Sequence, residues 1–96
     1  MDLKEKILSL LMESSTITEK FIELVISRLE DLTYVMTEGD AFALAFTMQT
    51  VENTIRNSCN TASIPDGLMF IAVDMVCGQF LSQKKQTNSL GDSFDV

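Results

Sequence analysis

The residue types that most often carry out catalysis are scarce in this sequence. It contains no histidine, and its two cysteines, Cys59 and Cys77, form no CxxC pair. A serine, threonine or cysteine nucleophile needs a neighbouring base, usually an imidazole, to become reactive. Zinc is held mainly by histidine and cysteine, and two isolated thiols do not supply a full set of ligands. We therefore expect no catalytic residue, no metal and no cofactor, and we expect both cysteines to be reduced, buried thiols.

The charge distribution excludes two further classes of function. Seven Lys and Arg residues are scattered along the chain, against 14 Asp and Glu, and the formal charge is −7. Proteins that bind nucleic acid or anionic membranes do so largely by placing clustered basic residues against phosphates. The sequence therefore predicts neither sequence-specific nucleic-acid binding nor membrane binding. Arg28 and Arg56 are the candidates for an anionic-substrate enzyme, which is the least favoured hypothesis because such a site needs several converging cations.

The spacing of apolar residues predicts an all-α protein with about four helices. With 96 residues, 46% of them hydrophobic, the chain has the size and composition of one domain. The apolar residues recur at helical spacing in segments 2–13, 16–36, 41–58 and 65–83. Between the second and third segments, Gly39 is expected to end one helix and Asp40 to cap the next. We expect residues 1–86 to form a single helical domain and residues 87–96 to form an extended C-terminal arm.

The fourth segment has apolar residues on two sides. Phe70 and Leu81 lie on one side, Ile71 lies on the other, and Asp74 and Gln79 interrupt them. In a bundle this small, one side can pack inside the domain and the other against a second subunit. Asp74 then has two interpretations. One is a contact with another subunit or a partner, and the other, which is favoured, is an ion pair with Arg56 within the chain or a position on a solvated edge. Gly78 indicates either close approach of another backbone or simple tolerance.

The same segment resembles head-tail connector proteins of tailed bacteriophages and prophages. The resemblance rests on Ile64-Pro65-Asp66-Gly67-Leu68, on the run from Val73 to Leu81, and on Leu90-Gly91-Asp92-Ser93-Phe94. In that family an Ile-Pro-acidic-Gly-Leu turn opens the last long helix, and a Gly-Asp-Ser/Thr arm follows it. The specific motif covers about the last third of the chain, and the rest matches as helical pattern. Cys77 and Gln79 depart from the family, which usually has aliphatic and acidic residues there.

The resemblance implies a structural assembly protein, a head-completion adaptor found at the head-tail junction of the virion. Such a subunit forms a homo-oligomeric ring, commonly of twelve copies, between the portal protein and the tail, stopper or terminator proteins. DNA passes through the ring without being read. The collar of a phage-tail-like particle is a related possibility. The interface residues that the resemblance and the helix pattern indicate are Ile64, Pro65, Gly67, Phe70, Asp74, Gly78, Leu81, Gly91, Asp92 and Phe94.

A second hypothesis from another class stays open. Regulatory binding modules that dock one partner, such as an antitoxin or an anti-repressor, are also often small helical proteins.

The N-terminal residues, Met1 to Lys6, include Asp2 and Glu5, and no uncharged apolar run of signal-peptide or membrane-spanning length follows them. We therefore expect synthesis in the bacterial cytoplasm under either hypothesis.

Overall fold

Four α-helices in two layers make up the described part of the chain. The structure is a computed structural model, which describes residues 2–94, with side chains from residue 2 to residue 85. The helices are α1 (Leu3–Leu10), α2 (Glu19–Asp31), α3 (Ala41–Cys59) and α4 (Met69–Phe94), and no strand occurs between residues 2 and 94. Short 3-10 turns, Glu38–Asp40 and Asp66–Leu68, lead into α3 and α4. The prediction of an all-α fold with four helices is confirmed.

The helix contacts define the two layers. α1 packs against α2 and α3, and α4 packs against α2 and α3, so that α1 and α2 form one layer and α3 and α4 the other. The core lies between the layers. Its largest fully buried apolar side chains come from all four helices, and they are Ile7, Phe21, Ile22, Leu29, Leu44, Met48 and Phe80.

The second helix ends earlier than the sequence predicted. α2 stops at Asp31, because Thr33 adopts a left-handed conformation with φ of 65°. The backbone N–H of Thr33 donates to the carbonyl of Glu30 (2.9 Å), and that of Tyr34 donates to Leu29 (3.0 Å). These are the two bonds of a Schellman helix ending, which usually has glycine at the left-handed position. The apolar spacing of Leu32 and Met36 suggested a longer helix, but Leu32 is exposed and Met36 lies in the connector.

The corner between α2 and α3 is built differently from the expected glycine stop and aspartate cap. Gly39 has no positive φ, and Asp40 makes no capping hydrogen bond to α3. Instead, Thr37 and Asp40 form a capping box around the 3-10 turn, in which the backbone N–H of Thr37 donates to the Asp40 carboxylate (3.1 Å). The left-handed residue that ends α2 is Thr33, several residues before Gly39. The sequence therefore located the corner correctly and assigned its residues wrongly.

The C-terminal segment also differs from its prediction. An extended arm was expected from residue 87, whereas α4 continues as a helix to Phe94. No proline follows Pro65 to interrupt the helical backbone, and Gly91 costs a helix only about 1 kcal/mol. Asp95 and Val96, the last residues of the predicted arm, lie outside the described residues.

None of the helices in residues 2–94 combines the length and the apolar character needed to cross a lipid bilayer.

Candidate functional site

The outward face of α4 and the turn before it bring together four of the ten residues expected at an interface. Phe70, Asp74 and Gly78 are all exposed and recur at helical spacing along one side, and Gly67 continues that side at the preceding turn. Phe70 is 74% exposed and its neighbour Ile71 is 55% exposed, which is high for large apolar side chains. The sequence analysis placed Phe70 and Ile71 on opposite sides of α4, whereas both lie on its exposed surface. The buried surface of α4 consists of Ala72, Val73, Val76, Cys77 and Phe80. We call the exposed pair Phe70 and Ile71 the α4 patch.

Three of the predicted interface residues lie elsewhere. Ile64 and Leu81 are half-buried and pack against the core, and Pro65 is half-buried at the start of the turn before α4. Their first role is therefore to hold α4 in the bundle. Gly91, Asp92 and Phe94 lie in the last turns of α4, where only the backbone is described, and their predicted contacts with a neighbouring subunit remain predictions.

Asp74 pairs with Arg28 instead of the expected Arg56. The Arg28 Nε donates to the Asp74 carboxylate at 3.2 Å, across an open groove of about 330 Å³ between α2 and α4. Both side chains are largely exposed, 46% for Arg28 and 66% for Asp74, so the pair contributes little to stability. Asp31 lines the same groove as Phe70, so the α4 patch has a net negative charge beside it. Arg56 lies on the other side of the molecule, where its Nη1 donates to the Ser14 carbonyl at 3.4 Å.

Gly78 has open space in front of it. A Cβ atom placed there would meet no other atom within 4 Å. No part of the bundle itself therefore requires glycine at this position. The two interpretations of Gly78 that the sequence allowed, tolerance and close approach of a backbone from another subunit, both fit this geometry.

The first half of α3 presents a second apolar surface, which the sequence analysis did not single out as a site. Phe42 and Phe46 are 69% and 58% exposed, and their rings stack with centroids 6.5 Å apart. Met12 lies on the same side of α3, since its backbone N–H donates to the Gln49 side chain one turn further along (2.9 Å), and it is 68% exposed. We call Phe42 and Phe46 the α3 patch. Helical spacing placed both residues beside the buried stripe, and the signal missed was the run without a charged residue from Ala41 to Val51.

The exposed side of α3 carries no acidic residue, and the one charged side chain of this helix outside the core is the half-buried Arg56. In a chain with 14 acidic residues, none is exposed along the 19 residues of this helix, since Glu52 is buried. The exposed side of α2, in the other layer, differs from that of α3, because almost every exposed residue of α2 is charged. The exposed residues of α3 are Phe42, Phe46, Thr50, Asn53, Thr54, Asn57, Ser58 and Cys59. Those of α2 are Glu19, Lys20, Glu23, Ser27, Arg28, Glu30 and Asp31.

Two buried carboxylates connect loop segments to helices and so stabilise the fold. Glu52, which is 2% exposed, accepts hydrogen bonds from the Ser15 hydroxyl (3.0 Å) and from the backbone N–H and hydroxyl of Thr16 (2.6 Å each). It thereby fixes the connector between α1 and α2 to α3. Its position four residues after Met48 and three before Ile55, on the core stripe, was the signal that it is buried.

Asp40 is the second buried carboxylate, and it connects the α2–α3 corner to α4. Its Oδ1 pairs with Lys84 Nζ at 2.7 Å, and its Oδ2 accepts from the Tyr34 hydroxyl at 3.2 Å. Burial raises the pKa of the Asp40 carboxyl, but the hydrogen bonds from Lys84 and from the Thr37 N–H outweigh it, and the net pKa is lowered. The hydrogen bond to Asp40 raises the pKa of Lys84. Each charge is thus stabilised by the other.

The cysteines show no feature of a reactive site. Cys77 is buried and its thiol faces the Val25 carbonyl at 3.8 Å. Burial raises the pKa of this thiol to about 11, which keeps it protonated and unreactive near neutral pH. Cys59 is exposed at the end of α3, so the expectation that both thiols are buried is wrong for this one. The polar end of α3, which faces solvent, explains the difference.

Comparisons of the chain with protein-family models, with curated proteins and with solved structures find no match. Within residues 2–94, no three acidic or thiol side chains converge as they would around a metal ion. The candidate site is therefore a surface site. It consists of the α3 patch, the α4 patch and the exposed polar residues of α3.

Proposed function

We propose that this protein is a structural assembly subunit that works by packing against copies of itself and against neighbouring proteins. The observation that carries the proposal is the pair of exposed aromatic and aliphatic patches on α3 and α4. Monomeric proteins rarely expose clustered large apolar side chains, and interfaces are enriched in them while charged residues are depleted. The proposal assigns the chain no catalytic role.

The more specific form of the proposal is a ring subunit at a head-tail junction, joining a portal protein to tail proteins. Its support is the resemblance of Ile64 to Leu68 and Val73 to Leu81 to phage connectors, together with the exposed position of Phe70, Asp74 and Gly78 within that motif. A ring requires each subunit to present two different surfaces, one to each neighbour. Two separate patches meet that requirement. The collar of a phage-tail-like particle would use the same surfaces.

The experiment is a measurement of mass by light scattering coupled to size exclusion. The purified chain is run alone and then mixed with the portal and tail-completion proteins encoded beside it. The proposal expects a ring-sized species, or incorporation of the chain into a portal complex. A monomer that enters no such complex would contradict it, and a defined one-to-one complex with a regulatory protein would establish the alternative of an antitoxin or anti-repressor.

A further inference from the structure

We propose that α1 and the connector that follows it open as one unit while α2, α3 and α4 stay folded. We call this unit, residues 2–17, the strap. The open state exposes the apolar slot between α2 and α3 that α1 fills in the closed state. The inference is independent of the proposed function. It rests on the arrangement of the helices, on the hydrogen bonds that hold the connector, and on the length of α1.

The arrangement of the helices lets α1 leave without separating the other three. α1 contacts α2 and α3 from one side, and α4 contacts the same two helices from the other side. Within residues 2–94, α2 and α3 have at most marginal contact with each other. Of the buried apolar side chains in the described residues, Ile7 alone belongs to the strap, and the others lie on α2, α3 and α4. When the strap opens, α4 therefore still joins α2 and α3 through two packed seams.

A row of polar side chains on α3 holds the connector in place. Gln49, Glu52 and Arg56 recur at i, i+3 and i+7, so they lie on one side of the helix. The Gln49 side chain accepts from the backbone N–H of Met12 (2.9 Å), and Arg56 donates to the Ser14 carbonyl (3.4 Å). Between them, the Glu52 carboxylate accepts three hydrogen bonds from the connector.

Fastening of this kind is easier to release than an apolar seam. Water replaces the hydrogen bonds of the Gln49, Glu52 and Arg56 row when the connector lifts, so the net loss per bond is small. A packed seam, such as that between α2 and α4, has no equivalent replacement in water. The strap is thus the part of the bundle whose opening water compensates most.

The length of α1 makes the opening cooperative. α1 has eight residues, and isolated helices shorter than about 12–15 residues are marginal in water. Its helical structure therefore depends on the contacts that Ile7 and the half-buried Leu3 and Leu8 make with the core. The ion pair between Lys4 and Glu23 (3.1 Å) lies at the surface and adds little. Once these contacts are lost, all of α1 unfolds together.

The test is native-state hydrogen exchange of the full chain, followed by NMR at low urea concentrations. Opening of the strap exposes only part of the surface that global unfolding exposes. The amides from Ile7 to Leu10 should therefore share one rate-determining opening with a weak dependence on urea. The buried stretches of α3 and α4 should exchange more slowly, with the full urea dependence of global unfolding.

Two variants separate the strap from the core. Val73→Ala weakens the seam between α2 and α4, because Val73 is 4% exposed and lines the groove between them. It should speed exchange of the core amides at least about tenfold and leave the α1 amides unchanged, since the seam is still folded when the strap is open. Glu52→Gln should speed exchange of the α1 amides at least about fivefold. Glu38→Gln is its matched control, because Glu38 is exposed in the turn before α3, and it should leave the α1 amides unchanged.

Other results overturn the inference. If the α1 amides of the unsubstituted chain exchange at the rate of the core amides and with the same urea dependence, α1 opens only when the whole molecule unfolds. The same conclusion follows if Val73→Ala speeds both sets of amides equally. An unchanged α1 rate in Glu52→Gln would show that the polar row does not hold the strap. None of these results affects the proposed function, which the light-scattering experiment decides separately.

Discussion

At Thr33, a single threonine holds a backbone conformation that glycine adopts more readily. The left-handed φ of 65° brings Cβ close to the backbone, which costs a non-glycine residue roughly 1 kcal/mol, and the two Schellman hydrogen bonds to Glu30 and Leu29 compensate for it. We expect Thr33→Gly to raise the free energy of unfolding by about 0.5–1 kcal/mol, measured by urea denaturation. Thr54→Gly, in the middle of an exposed helical face, is the control and should lower the free energy of unfolding by about 0.3 kcal/mol, the difference in helix propensity between the two residues.

Gly78 is the opposite case, a glycine in a position that alanine fits. Since nothing lies within 4 Å of the site of a Cβ atom, Gly78→Ala should stabilise the isolated subunit by up to about 1 kcal/mol through the helix propensity of alanine. Thermal unfolding of the monomeric protein measures this. A variant that is less stable than the original chain would show that the space in front of Gly78 is occupied.

At the scale of helices and connectors, Asp40 connects the α2–α3 corner to α4. Its pKa is lowered, so its contribution to stability is present above the ordinary carboxyl pKa of 3.8 and is lost as the pH falls through its folded-state value. We expect Asp40→Asn to cost about 1.5–3 kcal/mol at neutral pH and to reduce the loss of stability below pH 4. Urea denaturation at several pH values measures both effects. Asp74→Asn, which breaks the exposed pair with Arg28, should cost less than about 1 kcal/mol.

Glu52 is the buried carboxylate that holds the connector between α1 and α2 against α3. Both its oxygens accept hydrogen bonds from Ser15 and Thr16, and an amide would turn an NH2 donor toward one of those donors. We expect Glu52→Gln to lower the free energy of unfolding by about 1–3 kcal/mol and to speed hydrogen exchange of the Thr16 amide. Thr16→Val removes one hydroxyl and keeps the backbone bond, and it should cost less. An unchanged exchange rate in Glu52→Gln would contradict this role.

The sequence predicted helices well and their boundaries less well, for physical reasons. The stripe of Leu44, Met48, Val51 and Ile55 is fully confirmed, because a continuous apolar face can only be buried in one way. The end of α2 was missed because threonine at a left-handed position carries no glycine signal. Glu52 and the partner of Asp74 were missed because hydrogen bonds and ion pairs between helices depend on which helices become neighbours, and spacing along one helix does not specify that. Of the α4 patch, Phe70 was predicted to lie at an interface, whereas Ile71 was placed on the opposite side of the helix. The α3 patch was recognised only once its exposure was known.

For the molecule as a whole, the net negative charge makes self-association sensitive to salt. The net charge of −7 opposes association of identical chains, while the patches themselves contain no charged residue. Raising the ionic strength from about 0.05 M to about 0.5 M should therefore strengthen self-association, since it screens the repulsion and leaves the apolar contact intact. Sedimentation velocity across this range checks the direction. Weaker association in salt would indicate that attractive ion pairs hold the copies together.

The scarcity of lysine in α3 and in most of α4 also decides which reagents can modify this layer. No lysine occurs between Lys20 and Lys84, and Arg56 is the only basic residue from Thr33 to Gln83. Acetylation, amine-reactive labels and trypsin act on lysine and, for trypsin, on arginine, so they act almost entirely on α1 and α2 and on the residues after Gln83. A fluorophore attached through lysine would therefore leave both patches unmodified, and amine cross-linkers would capture neighbouring copies only through side chains outside the contact itself.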